Sequence, residues 1–277
     1  MRLKEKVGFI GVGNMGSALV KGLVEAKTID SDGIGVFDVV SAKAKELTEK
    51  FGVRPFNTIS ELIGFSDIIL IAVKPQNITE VLDELRGALK SDQLIISIAA
   101  GISIEFIEER LGSKVPIVRV MPNTPALIGE GASALSRNDR VDDATMEKAL
   151  TLFRSVGIAV EVDEKLMDAI TGLSGSGPAY VMLFLEALTD AGVFVGLPRD
   201  VARTLVLQTI LGSVRMVLET ENHFAQLKDM VTSPGGTTIY GLKALEEAGF
   251  RSAVIEAVKR ATDRSNELQK IASIGKK

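Results

Sequence analysis

The 277 residues include 46% hydrophobic positions, enough for one large or two modest domains, and a net charge of −4 argues against a nucleic-acid partner, which needs a basic patch. Zero cysteines exclude disulfides, thiolate metal sites and thiol nucleophiles, and a single histidine, His223, leaves little for zinc or a histidine-based triad, so no metal is expected. No apolar signal segment precedes the first strand, and the most apolar stretch, 179–195, is broken by Glu186 and Asp190 before reaching the roughly 18 residues of a membrane span, so a cytoplasmic protein with no membrane partner is expected.

Val7-Gly8-Phe9-Ile10 reads as a short buried strand, and Gly11-Val12-Gly13-Asn14-Met15-Gly16 follows at once. Met15, Ala18, Leu19, Gly22 and Leu23 then recur at helical spacing, so strand, glycine loop and helix come in the order a dinucleotide site requires. Gly11 suits the tight turn, Gly13 the approach of a pyrophosphate, and Gly16 close packing of helix on strand. A second strand, Ile34-Gly35-Val36-Phe37, ends at Asp38, which lies 25 positions after Gly13. That offset is near the roughly 20 residues expected for an acid on the adenosine ribose, although an ordinary strand-end turn residue would look the same. No arginine follows to hold a 2′-phosphate, and Lys43 and Lys45 sit along the next helix, so NADH is expected to be preferred over NADPH.

The alternation continues with a helix over 41–51 stopped by Gly52, a continuously apolar strand over 67–73, a helix over 77–89 and a strand over 93–100. A helix over 104–111 and a strand over 116–121 follow. This rhythm predicts a Rossmann-type doubly wound parallel sheet, with ligands outside the carboxyl ends of the strands. Three such ends become candidates: Ala72-Val73-Lys74-Pro75, Ala99-Ala100-Gly101 and Met121-Pro122-Asn123-Thr124-Pro125. Small residues at 99–101 suit either a flat ring on the backbone or simple packing room. Strands over 131–137 and 158–162, with a helix over 142–155 between them, extend the sheet at one edge. The pattern changes near Asp163, which places a dinucleotide-binding domain at 1–162 and a helical domain at 163–277.

The second part contains helices over 179–195, 199–219, 223–231, 237–248 and 252–270, with a frayed tail from 271. The first of these is apolar almost all round and demands burial on every side, most simply against a second copy, so a homodimer through this domain is expected. Ser233-Pro234-Gly235-Gly236-Thr237-Thr238 reads as a Ser N-cap with Pro at the first helical position. The paired glycines are poor helix formers but let backbone amides approach an anion. The stretch suits a cradle for a small carboxylate and equally a Gly-rich turn between helices.

Chemistry is narrowed by absences. Redox chemistry at a C–O bond usually uses a His or Lys at the oxygen. The 3-hydroxyacid dehydrogenases, which share this architecture, place a Lys four residues after a glycine segment like Gly172-Leu173-Ser174-Gly175-Ser176-Gly177, where this chain has Val181. His223 lies in a polar patch between helices. A substrate carrying its own protonatable nitrogen relaxes the requirement, because a C=N carbon accepts hydride once it is aligned and its nitrogen holds a hydrogen bond.

Taken together, Gly11 to Gly16, Ala72 to Pro75, Ala99 to Gly101, Met121 to Pro125, Gly172 to Tyr180 and Leu227 to Thr238 resemble pyrroline-5-carboxylate reductases across essentially the whole chain. The resemblance implies NAD(P)H-dependent reduction of 1-pyrroline-5-carboxylate to L-proline, the last step of proline biosynthesis. It also implies a Rossmann domain followed by an all-α C-terminal dimerisation domain, with decamers in some members. The family's cofactor contacts fall on Ile10, Gly11, Val12, Gly13, Asn14, Met15, Gly16, Asp38, Ala72, Val73, Lys74, Pro75, Ala99, Ala100 and Gly101. Its substrate contacts fall on Ser176, Gly177, Pro178, Ser233, Gly236, Thr237 and Thr238, with Thr238 as hydrogen-bond donor to the ring nitrogen, and Glu164 and Glu221 match functional acids. Many members carry a small polar residue in place of Asp38 and prefer NADPH. Alternatives on the same fold are a 3-hydroxyacid dehydrogenase, another imine reductase, or a non-enzymatic NAD-binding sensor.

Overall fold

The computed structural model describes residues 2–112, 114–220 and 222–274. Two compact units emerge, one taking in Met1–Ser176 and the chain from Arg260, the other Gly177–Lys259.

The first unit is built on an eight-stranded sheet in the order β3-β2-β1-β4-β5-β6-β7-β8. Its strands are β1 (Val7–Ile10), β2 (Ile34–Phe37), β3 (Arg54–Pro55), β4 (Ile68–Ile71), β5 (Leu94–Ser97), β6 (Ile117–Met121), β7 (Gly131–Arg137) and β8 (Gly157–Glu161). The first six run parallel, with Ile10 opposite both Phe37 and Ile71, so the strand order reverses between β1 and β4. β7 lies antiparallel to β6 and β8 parallel to β7, which confirms the expected edge extension.

Residues alternate across the sheet, so each strand feeds two cores. Val7, Phe9, Leu70 and Ile96 meet α1 (Asn14–Glu25) and α6 (Asp143–Arg154) on one face. Ile69, Ile71 and Ile95 meet α3 (Ile59–Phe65), α4 (Ile78–Leu85) and α5 (Ile104–Leu111) on the other. Both faces are covered, which is why β1, β4 and β5 are continuously apolar. Local signals set the helix ends: α2 (Ser41–Phe51) stops at Gly52 with φ 71°, and Thr58, Ser103 and Asp142 cap α3, α5 and α6 with side-chain oxygens. The helix expected over 77–89 is shorter, because Arg86 turns extended at ψ 121° and Gly87 takes φ 75°. β3 and α3 were not foreseen.

The second unit is helical: α8 (Gly177–Phe194), α9 (Arg199–Thr220), α10 (Phe224–Met230), α11 (Thr237–Glu247) and most of α12 (Phe250–Ile274). Between α8 and α9, the Leu197 amide bonds the Gly192 carbonyl and the Gly196 amide bonds Val193, with Gly196 at φ 101°. This Schellman arrangement ends α8 just before Gly196, between the two helices expected over 179–195 and 199–219. Gly192 faces Ala202, where an added Cβ would come within 2.8 Å, so two small residues let the helices approach.

α8 is not buried on every side within one chain: no residue of it is buried, and Phe194 is 91% exposed. α9 buries only Ala202 and is the one described helix long and apolar enough, by length and composition, to cross a membrane. The last four helical residues, Ile271–Ile274, belong to α12 where a frayed tail was expected.

Candidate cofactor and substrate site

The carboxyl ends of β1, β2 and β4 converge at the point where the strand order reverses. Gly11, at φ 92°, donates its amide to the Phe37 carbonyl, and a Cβ there would sit 2.9 Å from the Ala72 oxygen. A Cβ at Gly16 would meet the Gly11 carbonyl oxygen at 2.4 Å, so α1 lies against the loop only because that atom is missing. Gly13, the N-cap of α1, has nothing within 4 Å of its Cβ direction, and no side chain caps the helix. Open space over an uncapped helix N-terminus fits a pyrophosphate.

Asp38 stands where the ribose acid was expected, with a side chain only 8% exposed. One carboxylate oxygen accepts the Val12 amide and the other the Val40 amide, both at 2.9 Å. The acid therefore ties the glycine loop to β2, while its remaining lone pairs can accept ribose hydroxyls. Lys43 stands 3.8 Å from it. Lys43, set aside in the sequence as lying further along the helix, in fact lines the same cleft.

This cleft encloses about 310 Å³ and is walled by Ile10, Gly11, Asp38, Val39, Val73 and Lys74 among others. Its outer wall, Ile59, Asn77, Glu80, Val81 and Glu84, was missed in the sequence, because only the fold brings α3 and α4 to the end of β2. Ala72 donates to the Ile10 carbonyl at 2.8 Å, and Pro75 opens a short turn after Lys74. At the end of β5, Ala99 is buried and Gly101 has φ 73°, with Leu268 and Gln269 of α12 about 3.7 Å from where its Cβ would be.

The segment after β8 is fastened to the same end of the sheet. Glu164 accepts from the Arg119 guanidinium at 3.0 Å and from the Ile104 amide at 2.8 Å. Arg119, in β6, is 5% exposed, and stripping a buried charge of its partner costs about 3–5 kcal/mol. The Glu164 carboxylate thus anchors the chain at the start of α5. α7 (Met167–Ile170) follows, with Asp168 accepting from the buried Ser265 hydroxyl of α12 at 2.6 Å. Thr171–Gly175 is a π-helical turn in which Ser176 donates to the Thr171 carbonyl at 2.9 Å. Such turns gather at functional sites, and this one leads directly into Ser176-Gly177-Pro178.

The stretch 233–238 differs from its expected local structure. Ser233 is not the N-cap and Pro234 is not the first helical residue. Gly236 donates to the Ser233 carbonyl at 3.1 Å across Pro234 and Gly235, and Gly235 has φ 68°. Pro then a positive-φ Gly at the two central positions is the pattern of a type II turn. Gly236 is the N-cap of α11, without a side-chain cap, and a Cβ on it would come within 2.3 Å of the Ser233 hydroxyl. Thr237 and Thr238 open the helix, so their amides and hydroxyls stand at an N-terminus that no side chain closes.

His223 is accounted for by structure. Its Nδ1 accepts the Ala225 amide at 3.2 Å, and Gln226 returns the bond to the His223 amide at 3.1 Å, a reciprocal cap on α10. Glu221 lies outside the described residues.

Comparison with known proteins places the chain in a family. Residues 164–268 match the family model described as pyrroline-5-carboxylate reductase dimerisation, and residues 6–101 match one described as NADP oxidoreductase coenzyme F420-dependent. The chain is 46% identical over 266 residues to the pyrroline-5-carboxylate reductase of Methanosarcina acetivorans, covering 96% of this chain and 98% of that one. Among solved structures, the pyrroline-5-carboxylate reductase of Coxiella burnetii superposes with a TM-score of 0.92 at 39% identity, covering 96% of this chain and 99% of that one. The Plasmodium falciparum pyrroline carboxylate reductase with NADP bound gives 0.87 at 40% identity, with coverage of 97% and 100%.

Proposed function

The chain belongs to the pyrroline-5-carboxylate reductase family and reduces 1-pyrroline-5-carboxylate to L-proline with NAD(P)H, and we propose that three of its segments divide the work. The glycine loop with Asp38, Ala72-Val73-Lys74-Pro75 and Ala99-Ala100-Gly101 holds the cofactor, which when bound supplies the hydride to the C=N carbon. Ser176-Gly177-Pro178 forms one wall of the substrate site. Ser233, Gly236, Thr237 and Thr238 receive the substrate's carboxylate and nitrogen.

The observation that carries the last assignment is the uncapped N-terminus of α11. An anion at such a terminus gains about 0.3–1 kcal/mol from the helix dipole, besides its hydrogen bonds. Gly236 donates its amide to Ser233, so the free donors begin at Thr237, and the missing Cβ of Gly236 lets the Ser233 hydroxyl stand beside them. The Thr238 hydroxyl donates to the lone pair of the neutral ring nitrogen, holding the C=N bond for attack at carbon, and the nitrogen takes one proton from solvent along that hydrogen bond as the hydride reaches carbon. Glu164 acts through Arg119 and α5 as a support for the neighbouring segment.

Asp38 favours NADH, because a carboxylate accepts ribose hydroxyls and repels a 2′-phosphate. Lys43, 3.8 Å away, screens that repulsion and keeps the preference modest. The exposed apolar faces of α8 and α9 are covered by a second copy rather than by lipid, giving a cytoplasmic homodimer from which larger assemblies up to a decamer are built. We place the functional boundary at 162/163, supported by the dimerisation match that starts at residue 164, with the helical part carrying both substrate loop and dimer contacts.

NADH oxidation that depends on 1-pyrroline-5-carboxylate tests the reading, set against 3-hydroxyisobutyrate oxidation and bare cofactor binding. Turnover with the hydroxyacid alone, or cofactor binding without turnover, would overturn it.

A further inference from the structure

Asn123 stands two residues beyond β6, the strand next in line after β5, whose end carries Ala99-Ala100-Gly101. Its Oδ1 accepts the Ala132 amide of β7 at 2.8 Å. Its Nδ2 points the other way, donating to the Ser174 hydroxyl at 3.2 Å and to the Ser174 carbonyl at 3.4 Å. Only one orientation of the amide satisfies a donor on one side and a carbonyl on the other. Ser174 lies within the π-helical turn, and its neighbour Gly175 is pressed on the Met121 side chain, where a Cβ would come within 2.5 Å of the methyl carbon. Two adjacent residues of the turn therefore rest on the end of β6. At one contact a side chain on Gly175 would push the Met121 methyl aside, and the other requires an amide with both an acceptor and a donor.

We propose that Asn123 is a positioning residue for the reduction. It clamps the π-helical turn to the ends of β6 and β7 and so fixes where Ser176-Gly177-Pro178 begins, relative to the cofactor loops on β4 and β5. The proposal rests on the reading that Ser176 to Pro178 face the substrate. A π-type turn interrupts the regular α-helical hydrogen-bond ladder, and support from outside it holds one arrangement. Asn123 supplies it without touching the reacting atoms. Misplacement of a positioned substrate by about 1 Å costs up to a hundredfold in rate, so a loosened turn should register in substrate kinetics and much less in cofactor binding.

The test compares Asn123→Ala, Asn123→Asp, Ser174→Ala and the Asn123→Ala/Ser174→Ala double variant in the full-length enzyme. Asn123→Asp keeps an acceptor for the Ala132 amide but sets a carboxylate oxygen against the Ser174 carbonyl. Both Asn123 variants should lose on the order of tenfold in kcat/KM for 1-pyrroline-5-carboxylate and in affinity for L-proline, while KM for NADH stays within about twofold. The double variant should be no worse than Asn123→Ala alone, because both changes cut one link. A lower Tm with unchanged substrate kinetics and proline affinity would make Asn123 merely structural and overturn the proposal. So would losses that multiply in the double variant, or a rise in KM for NADH alone. Ser176→Ala, measured alongside, reports on the substrate-site reading by itself: unchanged KM for the imino acid there sinks that reading, whereas a raised KM with wild-type Asn123 variants sinks the clamp.

Discussion

The two units of this chain bury their apolar residues in opposite ways. In the first, every residue of β1, β4 and β5 is buried, and the strand ends are joined by specific bonds such as Asp38 to Val12 and Glu164 to Arg119. In the second, α8 is apolar almost all round and yet has no buried residue, while α9 buries one. A cofactor domain must be complete by itself to present rigid loops. A helical unit with this much uncovered apolar surface is what the proposed dimer would cover.

Breaking the first unit should have the largest effect. Gly16→Ala drives a Cβ toward the Gly11 carbonyl at 2.4 Å, a backbone atom with no freedom to turn aside. The glycine loop must then lift from α1, and kcat/KM for NADH should fall on the order of a hundredfold. Initial rates at varied NADH check this, and a near wild-type value would mean that the loop tolerates α1 at a distance.

The second unit is challenged by placing charge on its exposed apolar face. Leu211 and Leu218 are 46% and 73% exposed in α9, so Leu211→Glu with Leu218→Glu should cost a monomer little. In a dimer these carboxylates become buried and unpaired, and the dissociation constant should rise by about tenfold or more. Sedimentation at graded concentration distinguishes the cases; an unchanged assembly would show that the dimer uses another face.

The cofactor preference should respond more weakly. Asp38→Ser removes the charge that faces a 2′-phosphate and leaves Lys43 in the cleft, so the NADPH-to-NADH ratio of kcat/KM should rise about tenfold, equivalent to about 1.4 kcal/mol. A ratio that stays constant would remove Asp38 from cofactor discrimination.

The smallest effect is confined to acid. Hydrogen bonds from Thr145, its hydroxyl and its amide, hold the Asp142 carboxyl below the usual carboxylate range. A depressed folded-state value means that its stabilisation is fully present above the unfolded value of about 3.9 and is lost as pH falls through the lower folded value. The Tm difference between wild type and Asp142→Ala should therefore be constant near neutral pH and shrink below about pH 4. A difference that persists undiminished in acid would assign the cap to something other than the ionised carboxylate.

The legibility of the chain follows the same division. The βα alternation, the glycine loop and Asp38 could be read because each depends on neighbours close in sequence. Lys43 could not, since its approach to Asp38 depends on how the start of α2 turns over the end of β2. Ser233-Pro234 failed for a different reason: Pro suits both the first turn of a helix and the second position of a turn, and the positive φ of Gly235 decides between them. The π-helical turn at Thr171–Gly175 reads as a plain glycine-rich segment, because the residues it rests on, Asn123 and Met121, lie about fifty residues earlier. The apolar character of α8 was plain in the sequence, and a single chain leaves it without a buried residue.

Thr238→Ala tests the central claim most directly, through initial rates of NADH oxidation with 1-pyrroline-5-carboxylate as the varied substrate. The account predicts a kcat lower by about tenfold or more, a loss of about 1.4 kcal/mol in the transition state, with KM for NADH unchanged. Wild-type turnover in the variant would contradict it and remove the start of α11 from the chemistry.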